Sequence, residues 1–155
     1  MESIELTLSL GTKEILITCK KSRPTQQSFT LWGASLTNSA TLQFYSIGMR
    51  GSGYSDLLRL EQFFEQLPVI NPDIILLDFG LYENYRAQES ESIYLRPLKD
   101  CFARLKASVP SAKIVVCIPQ DCIRGGRTLQ TFEKFEQAVI NLCKTEKCAY
   151  YDWFR

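Results

Sequence analysis

One glycine-rich segment and three acidic residues carry groups that bind anions or transfer protons. The segment 48–53, Gly-Met-Arg-Gly-Ser-Gly, has enough glycine for backbone N–H groups to come close to an anion. Asp78, Glu83 and Asp121 follow apolar runs, where a pair of carboxylates would serve acid–base catalysis. The glycine segment matches neither the dinucleotide fingerprint nor the Walker loop. A strained turn that needs glycine, and solvated or capping carboxylates, are the alternative interpretations.

Nucleophilic catalysis of the triad type has no base in this chain, because the sequence contains no histidine. Ser52 lies between two glycines, but Arg50 and Tyr54 occupy the outer positions where a nucleophile elbow has glycine. The six cysteines lack the paired CxxC spacing of a cysteine-only zinc site. We interpret them mainly as buried thiols, with Cys143 and Cys148 an accidental pair. The sequence therefore predicts no metal and no cofactor.

The composition is that of one globular domain. With 155 residues, 45% hydrophobic and 23% charged, we expect a single domain at 1–155, with a β-rich portion at 1–43 and an α/β portion at 44–155. The net charge of +1 predicts no nucleic-acid partner. No apolar run approaches the roughly 20 residues of a membrane span. The N-terminus shows no export signal, which predicts a cytoplasmic location for the chain as given.

Elements that would position these residues follow from the periodicity of the apolar side chains. Alternation over 4–10 and 15–19, with Gly11 and Thr12 between them, predicts an N-terminal β hairpin layer. Further strands are predicted near 29–32 and 42–47. Beyond residue 44 the pattern predicts strands at 44–47, 73–79, 113–118 and 148–151, and helices at 55–67, 92–109 and 128–144.

Continuous apolar strands that alternate with amphipathic helices indicate a mainly parallel sheet covered on both faces. The fold class is therefore α/β, a sandwich with helices on a parallel sheet. Ligands of such sheets bind beyond the carboxyl ends of the strands. We expect the loops at 48–55, 80–86 and 119–127 to meet at that edge.

The order of four segments, 46–55, 72–83, 110–121 and 149–154, resembles the SGNH (GDSL-like) hydrolases. It is most similar to the bacterial cell-envelope esterases in which a β insertion interrupts the hydrolase domain. The resemblance implies a three-layer α/β/α sandwich and a relative of enzymes that cleave acyl esters. An acylated carbohydrate or another small ligand is the implied partner. Family members are mostly periplasmic or extracellular, which disagrees with the absence of an export signal.

The resemblance also assigns positions. Gly51 matches the glycine whose N–H enters the oxyanion hole, and Tyr82 stands where the family has an oxyanion-binding asparagine, with Asn84 two residues later. Ser52, Glu83, Asn84 and Asp121 are the remaining pocket candidates. The Gly-Asp-Ser block does not occur, and 152–155 has the spacing of the Asp-x-x-His block but ends in arginine.

Two hypotheses follow from the incomplete motifs. The chain is either an internal piece of an esterase whose serine and histidine lie outside it, or a degenerate relative that serves as a binding or structural module. Both predict that this chain alone is inactive. A flavodoxin-like nucleotide-binding module is the third and weakest alternative, because only the 48–53 loop offers a phosphate site. The sequence does not indicate whether the chain forms oligomers.

Overall fold

A computed structural model describes residues 6–9, 11–28, 30, 42–48, 50–86, 92–120, 123–124, 127–128 and 131–153. These residues group into two compact units, Glu2–Ile47 and Gly48–Arg155. Each unit is described by itself below. That 1–155 forms a single domain stays a prediction.

In the first unit, the predicted reversal forms but the predicted hairpin does not. The Thr12 N–H and hydroxyl both donate to the Ser9 carbonyl, at 3.2 and 2.7 Å, and Gly11 takes a positive φ of 88°. No strand forms within 6–9, 11–28 or 42–48, so the hairpin over 4–10 and 15–19 and the strand at 44–47 are wrong where these residues are described. The predicted strand at 29–32 lies outside the described residues, except for position 30.

The physical reason is visible in the exposure of the alternating side chains. Leu6 is 75% exposed, Ile17 55% and Phe44 85%, so none of them gains burial from an extended backbone. A strand is stable only with a hydrogen-bonded neighbour and a packed face. Alternation of apolar and polar residues is therefore compatible with a β-strand, but it does not by itself produce a sheet.

The second unit is built on a parallel sheet of three strands, which confirms the predicted α/β class. The strands are β1 (Ile74–Leu77), β2 (Lys113–Ile118) and β5 (Ala149–Asp152), in the order β1-β2-β5. Ile74 pairs with Lys113, and Val115 pairs with Ala149. The predicted strand 73–79 begins one residue before β1 and ends two residues after it, and the predicted strand 148–151 lies one residue early relative to β5.

The described residues of this unit form five helices: α1 (Tyr54–Leu58), α2 (Glu61–Ile70), α3 (Leu81–Arg86), α4 (Ser92–Ser108) and α5 (Thr131–Glu146). Helices α4 and α5 connect successive strands and contact each other, so they lie on the same face of the sheet. Apolar residues at three- and four-residue spacing bury one stripe of α2, α4 and α5. The central buried side chains are Leu98, Cys101, Phe102 and Leu105 of α4, Phe135, Val139 and Cys143 of α5, and Val116 and Ile118 of β2.

The predicted helix at 55–67 is two helices, and Pro68 does not end the second one. Helix α1 ends at Leu58, whose carbonyl accepts a 2.6 Å hydrogen bond from Arg104 Nη1 on α4. Helix α2 continues through Pro68 and ends at Ile70. The next residue, Asn71, has a φ of 47° and donates its N–H to the Leu67 carbonyl. A left-handed residue followed by proline is a common helix end.

Two short elements were not predicted. Helix α3 occupies part of the loop at 80–86, and a small antiparallel pair, β3 (Ile123–Arg124) and β4 (Arg127–Thr128), occupies part of the loop at 119–127. The third predicted helix accordingly begins at Thr131 and not at 128. None of the helices in the described ranges combines the length and apolar character that a membrane crossing requires.

Several apolar side chains on the face of the sheet opposite to α4 and α5 are exposed. Side chains that share a register row in a parallel sheet point to the same side. Ile74 and Leu76 lie in rows whose side chains point away from the two helices, and they are 58% and 60% exposed. Tyr151, paired with the adjacent strand, is 53% exposed.

Candidate functional site

The carboxylate of Glu83 lies between the N-termini of two helices. Its Oε1 accepts a hydrogen bond from the Tyr54 N–H, at the first residue of α1. Its Oε2 accepts a 3.1 Å hydrogen bond from the Gly80 N–H, directly before α3. One side chain therefore joins the loop after β1 to the glycine-rich loop at 48–53, the two segments that the sequence analysis placed at the site.

Local sequence explains why Glu83 reaches both N–H groups. The first N–H groups of a helix have no partner within the helix and need an external acceptor. Gly80 precedes α3 and Glu83 is its third residue, the spacing at which a glutamate reaches back to the residue before the helix. Tyr54 is the first residue of α1, and the N–H of that position is not reached by an N-cap side chain, so it takes its acceptor from Glu83.

Gly53 is required by this close approach. A Cβ atom at position 53 would lie 2.0 to 2.8 Å from the three carboxyl atoms of Glu83. The φ of Gly53 is −132°, an ordinary extended value, so the need for glycine comes from space and not from backbone strain. The Gly53 N–H itself donates to Asp56 Oδ2 at 3.0 Å, which completes the cap of α1.

Burial raises the pKa of Glu83, because the partly dehydrated carboxylate is less stable than it would be in water. The two backbone hydrogen bonds from Tyr54 and Gly80 act in the opposite direction, since they favour the charged form. The nearby carboxylate of Asp56 raises the pKa further. The balance is a glutamate that holds its proton to a higher pH than an exposed one.

This shift predicts a pH dependence of stability. Between pH 4.5 and the raised pKa, the folded chain keeps a proton on Glu83 that the unfolded chain has already released. The stabilisation from this group is fully present below that interval and is lost as the pH rises through it. We expect the free energy of unfolding, measured with urea at a series of pH values, to fall less steeply in Glu83→Gln than in the wild type.

A matched control for this experiment is Glu65→Gln, which replaces an exposed glutamate of α2. It should retain the wild-type pH profile. A Glu83→Gln profile that is superimposable on both of the others would contradict the role assigned to this carboxyl group.

The interior next to Glu83 contains groups that are chemically inert at neutral pH. Tyr54 is fully buried, its ring packs edge-on against Phe79 with centroids 5.3 Å apart, and burial raises its pKa. The thiol of Cys101 donates to the Tyr54 carbonyl at 3.6 Å, and burial raises its pKa to about 12. A thiol in that state is ionised only to a very small extent at neutral pH.

The other candidates from the sequence are placed as follows. Gly51 is exposed, has a φ of 75° and has open space where a Cβ would lie. Ser52 and Tyr82 are half-buried. The backbone of Asn84 lies in α3, but its side chain, like the whole of Asp121, lies outside the described residues.

The structure thus brings Glu83 together with Gly53, Tyr54 and Gly80, three residues whose roles the sequence analysis did not assign. The glycine followed three residues later by a glutamate was the signal for the Gly80 contact. Nothing local indicates the contact with Tyr54, which is 29 positions away. Within the described ranges, no group of three or more potential ligand side chains is arranged to hold a metal ion.

Comparison with solved structures identifies a similar fold in a peptidoglycan O-acetylesterase, with a TM-score of 0.61 and 13% sequence identity. The likeness establishes the fold. It covers 67% of this chain and 31% of the esterase chain, so the chain spans about a third of the length of that enzyme. A possible lipase from Chitinophaga pinensis matches with a TM-score of 0.44 and 13% identity, over 68% of this chain and 50% of that chain.

No protein-family model and no curated protein sequence matches the chain. The esterase neighbour is consistent with the SGNH-like hydrolase fold that the four sequence segments imply. Those segments coincide with the loop before α1, strand β1 with α3, strand β2, and strand β5.

Proposed function

We propose that this 155-residue chain is a non-catalytic module with an SGNH-like hydrolase fold. The observation that carries the proposal is the position of the Glu83 carboxylate. It accepts the N–H groups of Tyr54 and Gly80, which lie three residues after Gly51 and two residues before Tyr82, the two positions that the resemblance assigns to the oxyanion hole.

Electrostatics favour this interpretation. An oxyanion hole works because preorganised donors point at the position where negative charge develops in the transition state. The Glu83 carboxylate accepts the N–H groups of Tyr54 and Gly80, so these two groups cannot contribute to such a site. When ionised, it also repels a second negative charge nearby, and the partial burial of Glu83 weakens the screening of that repulsion.

The remaining candidates do not supply the missing chemistry. The chain has no histidine to deprotonate Ser52. Tyr82 stands at the position of the asparagine donor, and its hydroxyl lies several ångströms farther from the backbone than an asparagine amide would. We infer that a ligand bound near Gly51 and Tyr82 is held without being cleaved.

Acetylated glycan is the ligand class to test first. The chain shares its fold with a peptidoglycan O-acetylesterase, and the sequence segments imply relatives that act on acylated carbohydrates. Under this proposal the fold is retained for binding or for structural support.

The decisive assay is hydrolysis of p-nitrophenyl acetate and of an acetylated glycan by the purified chain. We expect no saturable turnover, because loss of the base in a triad enzyme costs several orders of magnitude in rate. Tyr82→Asn should stay inactive too, since it restores one oxyanion donor but neither base nor nucleophile.

Ser52→Ala is the matched control in this assay, and it should show the same background rate as the wild type. Saturable hydrolysis by the wild type that Ser52→Ala abolishes would overturn the proposal.

A second candidate is that these residues are the oxyanion-side part of an active esterase whose serine and histidine come from other residues. The observation in its favour is that the chain matches 31% of the length of the esterase. An open reading frame around the coding region that encodes Gly-Asp-Ser upstream and Asp-x-x-His downstream would support this candidate over the first.

A further inference from the structure

Helix α5 ends in a Schellman motif that brings two cysteines to facing positions. Lys147 takes a left-handed φ of 54°, and its N–H donates to the Lys144 carbonyl at 3.3 Å. The next N–H, of Cys148, donates to the Cys143 carbonyl at 2.9 Å. These are the two hydrogen bonds that define the motif.

In a Schellman motif, one hydrogen bond joins residues that are five positions apart, and the side chains of those two residues commonly pack against each other. Here both residues are cysteines with free thiols. Cys143 is fully buried and Cys148 is half-buried. The two thiols influence each other electrostatically, which agrees with their placement side by side.

Polar groups lie beside Cys148, whereas Cys143 lies among apolar side chains. Lys106 of α4 donates to the Glu146 carbonyl at 3.0 Å and forms a 2.8 Å ion pair with Glu146 Oε2. The Cys148 thiol donates to the same carbonyl at 3.6 Å. The Lys106 ammonium favours a Cys148 thiolate, although burial and the Glu146 carboxylate together raise the pKa of this thiol.

We propose that Cys143 and Cys148 form a dithiol that small disulfides of the oxidised-glutathione type convert into an intramolecular disulfide. The half-buried thiol of Cys148 is the entry point, and the buried thiol of Cys143 is the resolving group. The motif fixes the backbone of the two residues next to each other before oxidation, because the Cys148 N–H binds the Cys143 carbonyl.

The reaction balances in two exchange steps. Cys148 loses its proton and its sulfur attacks one sulfur of the small disulfide, which breaks that S–S bond and releases one thiolate. Cys143 then loses its proton and attacks the Cys148 sulfur, which breaks the mixed disulfide and releases the second thiolate. The two cysteines are oxidised by two electrons, and the small disulfide is reduced to two thiols that carry the two protons.

The product would tie the last turn of α5 to β5, because Cys148 directly precedes Ala149, the first residue of that strand. Burial raises the pKa of Cys143 to about 12, so a small fraction of this thiol is ionised at neutral pH. The resolving step should therefore accelerate as the pH rises from 7 towards 9, since the thiolate is the attacking species.

The test treats the native chain with oxidised glutathione, blocks the remaining thiols with N-ethylmaleimide and digests it with trypsin without reduction. Lys144 and Lys147 lie between the two cysteines, so trypsin separates them into different peptides. We expect mass spectrometry to find peptide 135–144 linked to peptide 148–155, and the link to disappear after reduction.

Variants assign the two roles. Cys143→Ser should stop at a glutathione mixed disulfide on Cys148, and Cys148→Ser should leave Cys143 largely unmodified. Cys19→Ser, which removes an exposed cysteine of the other unit, should leave the yield of the linked peptides unchanged. The wild-type digestion decides the question even if a variant does not fold. Stable glutathionylation of wild-type Cys148 without the linked peptides would overturn the proposal, as would links of Cys148 to Cys19 in equal yield.

Discussion

Gly80→Ala should lower the free energy of unfolding by about 3 kcal/mol or more, one of the largest single losses expected in this chain. Two costs combine at this position. Gly80 has a φ of 110°, which residues with a Cβ rarely adopt, and the added Cβ would lie 2.6 Å from Cζ and 3.1 Å from Cε1 of Phe135. Phe135 is 1% exposed and has no room to withdraw. Urea denaturation followed by circular dichroism measures the loss.

Gly51→Ala separates the two costs. Gly51 also has a positive φ, 75°, but nothing lies within 4 Å of the position that its Cβ would take. We expect this variant to lose only about 1 kcal/mol, the cost of the backbone conformation alone. Equal losses for the two variants would show that the contact with Phe135 contributes nothing.

Gly53→Ala should lower the free energy of unfolding by about 2 kcal/mol in the wild-type background and by less than about 0.5 kcal/mol in a Glu83→Ala background. In the wild type the new methyl group displaces the Glu83 carboxylate, and the N–H groups of Tyr54 and Gly80 lose their acceptor. Without the carboxylate, the three atoms nearest to the added methyl group are removed. A double-mutant cycle over the four proteins, each unfolded in urea, gives the coupling energy.

Gly48→Ala is the matched control for this cycle, because its Cβ would meet nothing within 4 Å and its φ is not positive. Its effect should stay within about 0.5 kcal/mol in both backgrounds. Should Gly53→Ala cost the same with and without Glu83, the carboxylate would not be the group that requires glycine at this position.

The parts of the fold that the sequence predicts well are those in which one periodic pattern decides the structure. Helix α4 was predicted at 92–109 and observed at Ser92–Ser108, because its apolar residues recur at three and four positions and Pro110 follows. Strand β2 was predicted with its observed bounds, because a short apolar run between two helices of an α/β fold is typically a buried strand.

The errors arise where a distant contact decides the local structure. The break between α1 and α2 depends on Arg104, a residue 46 positions away, whose guanidinium binds the Leu58 carbonyl and lies 4.0 Å from the ring centroid of Phe64. At the candidate site, the resemblance directed attention to Gly51 and Tyr82. The contact that organises the site joins Glu83 to Tyr54, and no spacing rule connects those two positions.

Three exposed apolar side chains of the sheet have a consequence for the behaviour of the protein in concentrated solution. Ile74, Leu76 and Tyr151 expose more than half of their surface, and the chain carries a net charge of only +1 with a pI near 7.5. Molecules with almost no net charge repel each other weakly, so apolar patches meet more often at neutral pH. Colloidal stability should therefore be lowest near pH 7.5 and improve in buffers that move the net charge away from zero, because added like charge opposes contact between these faces.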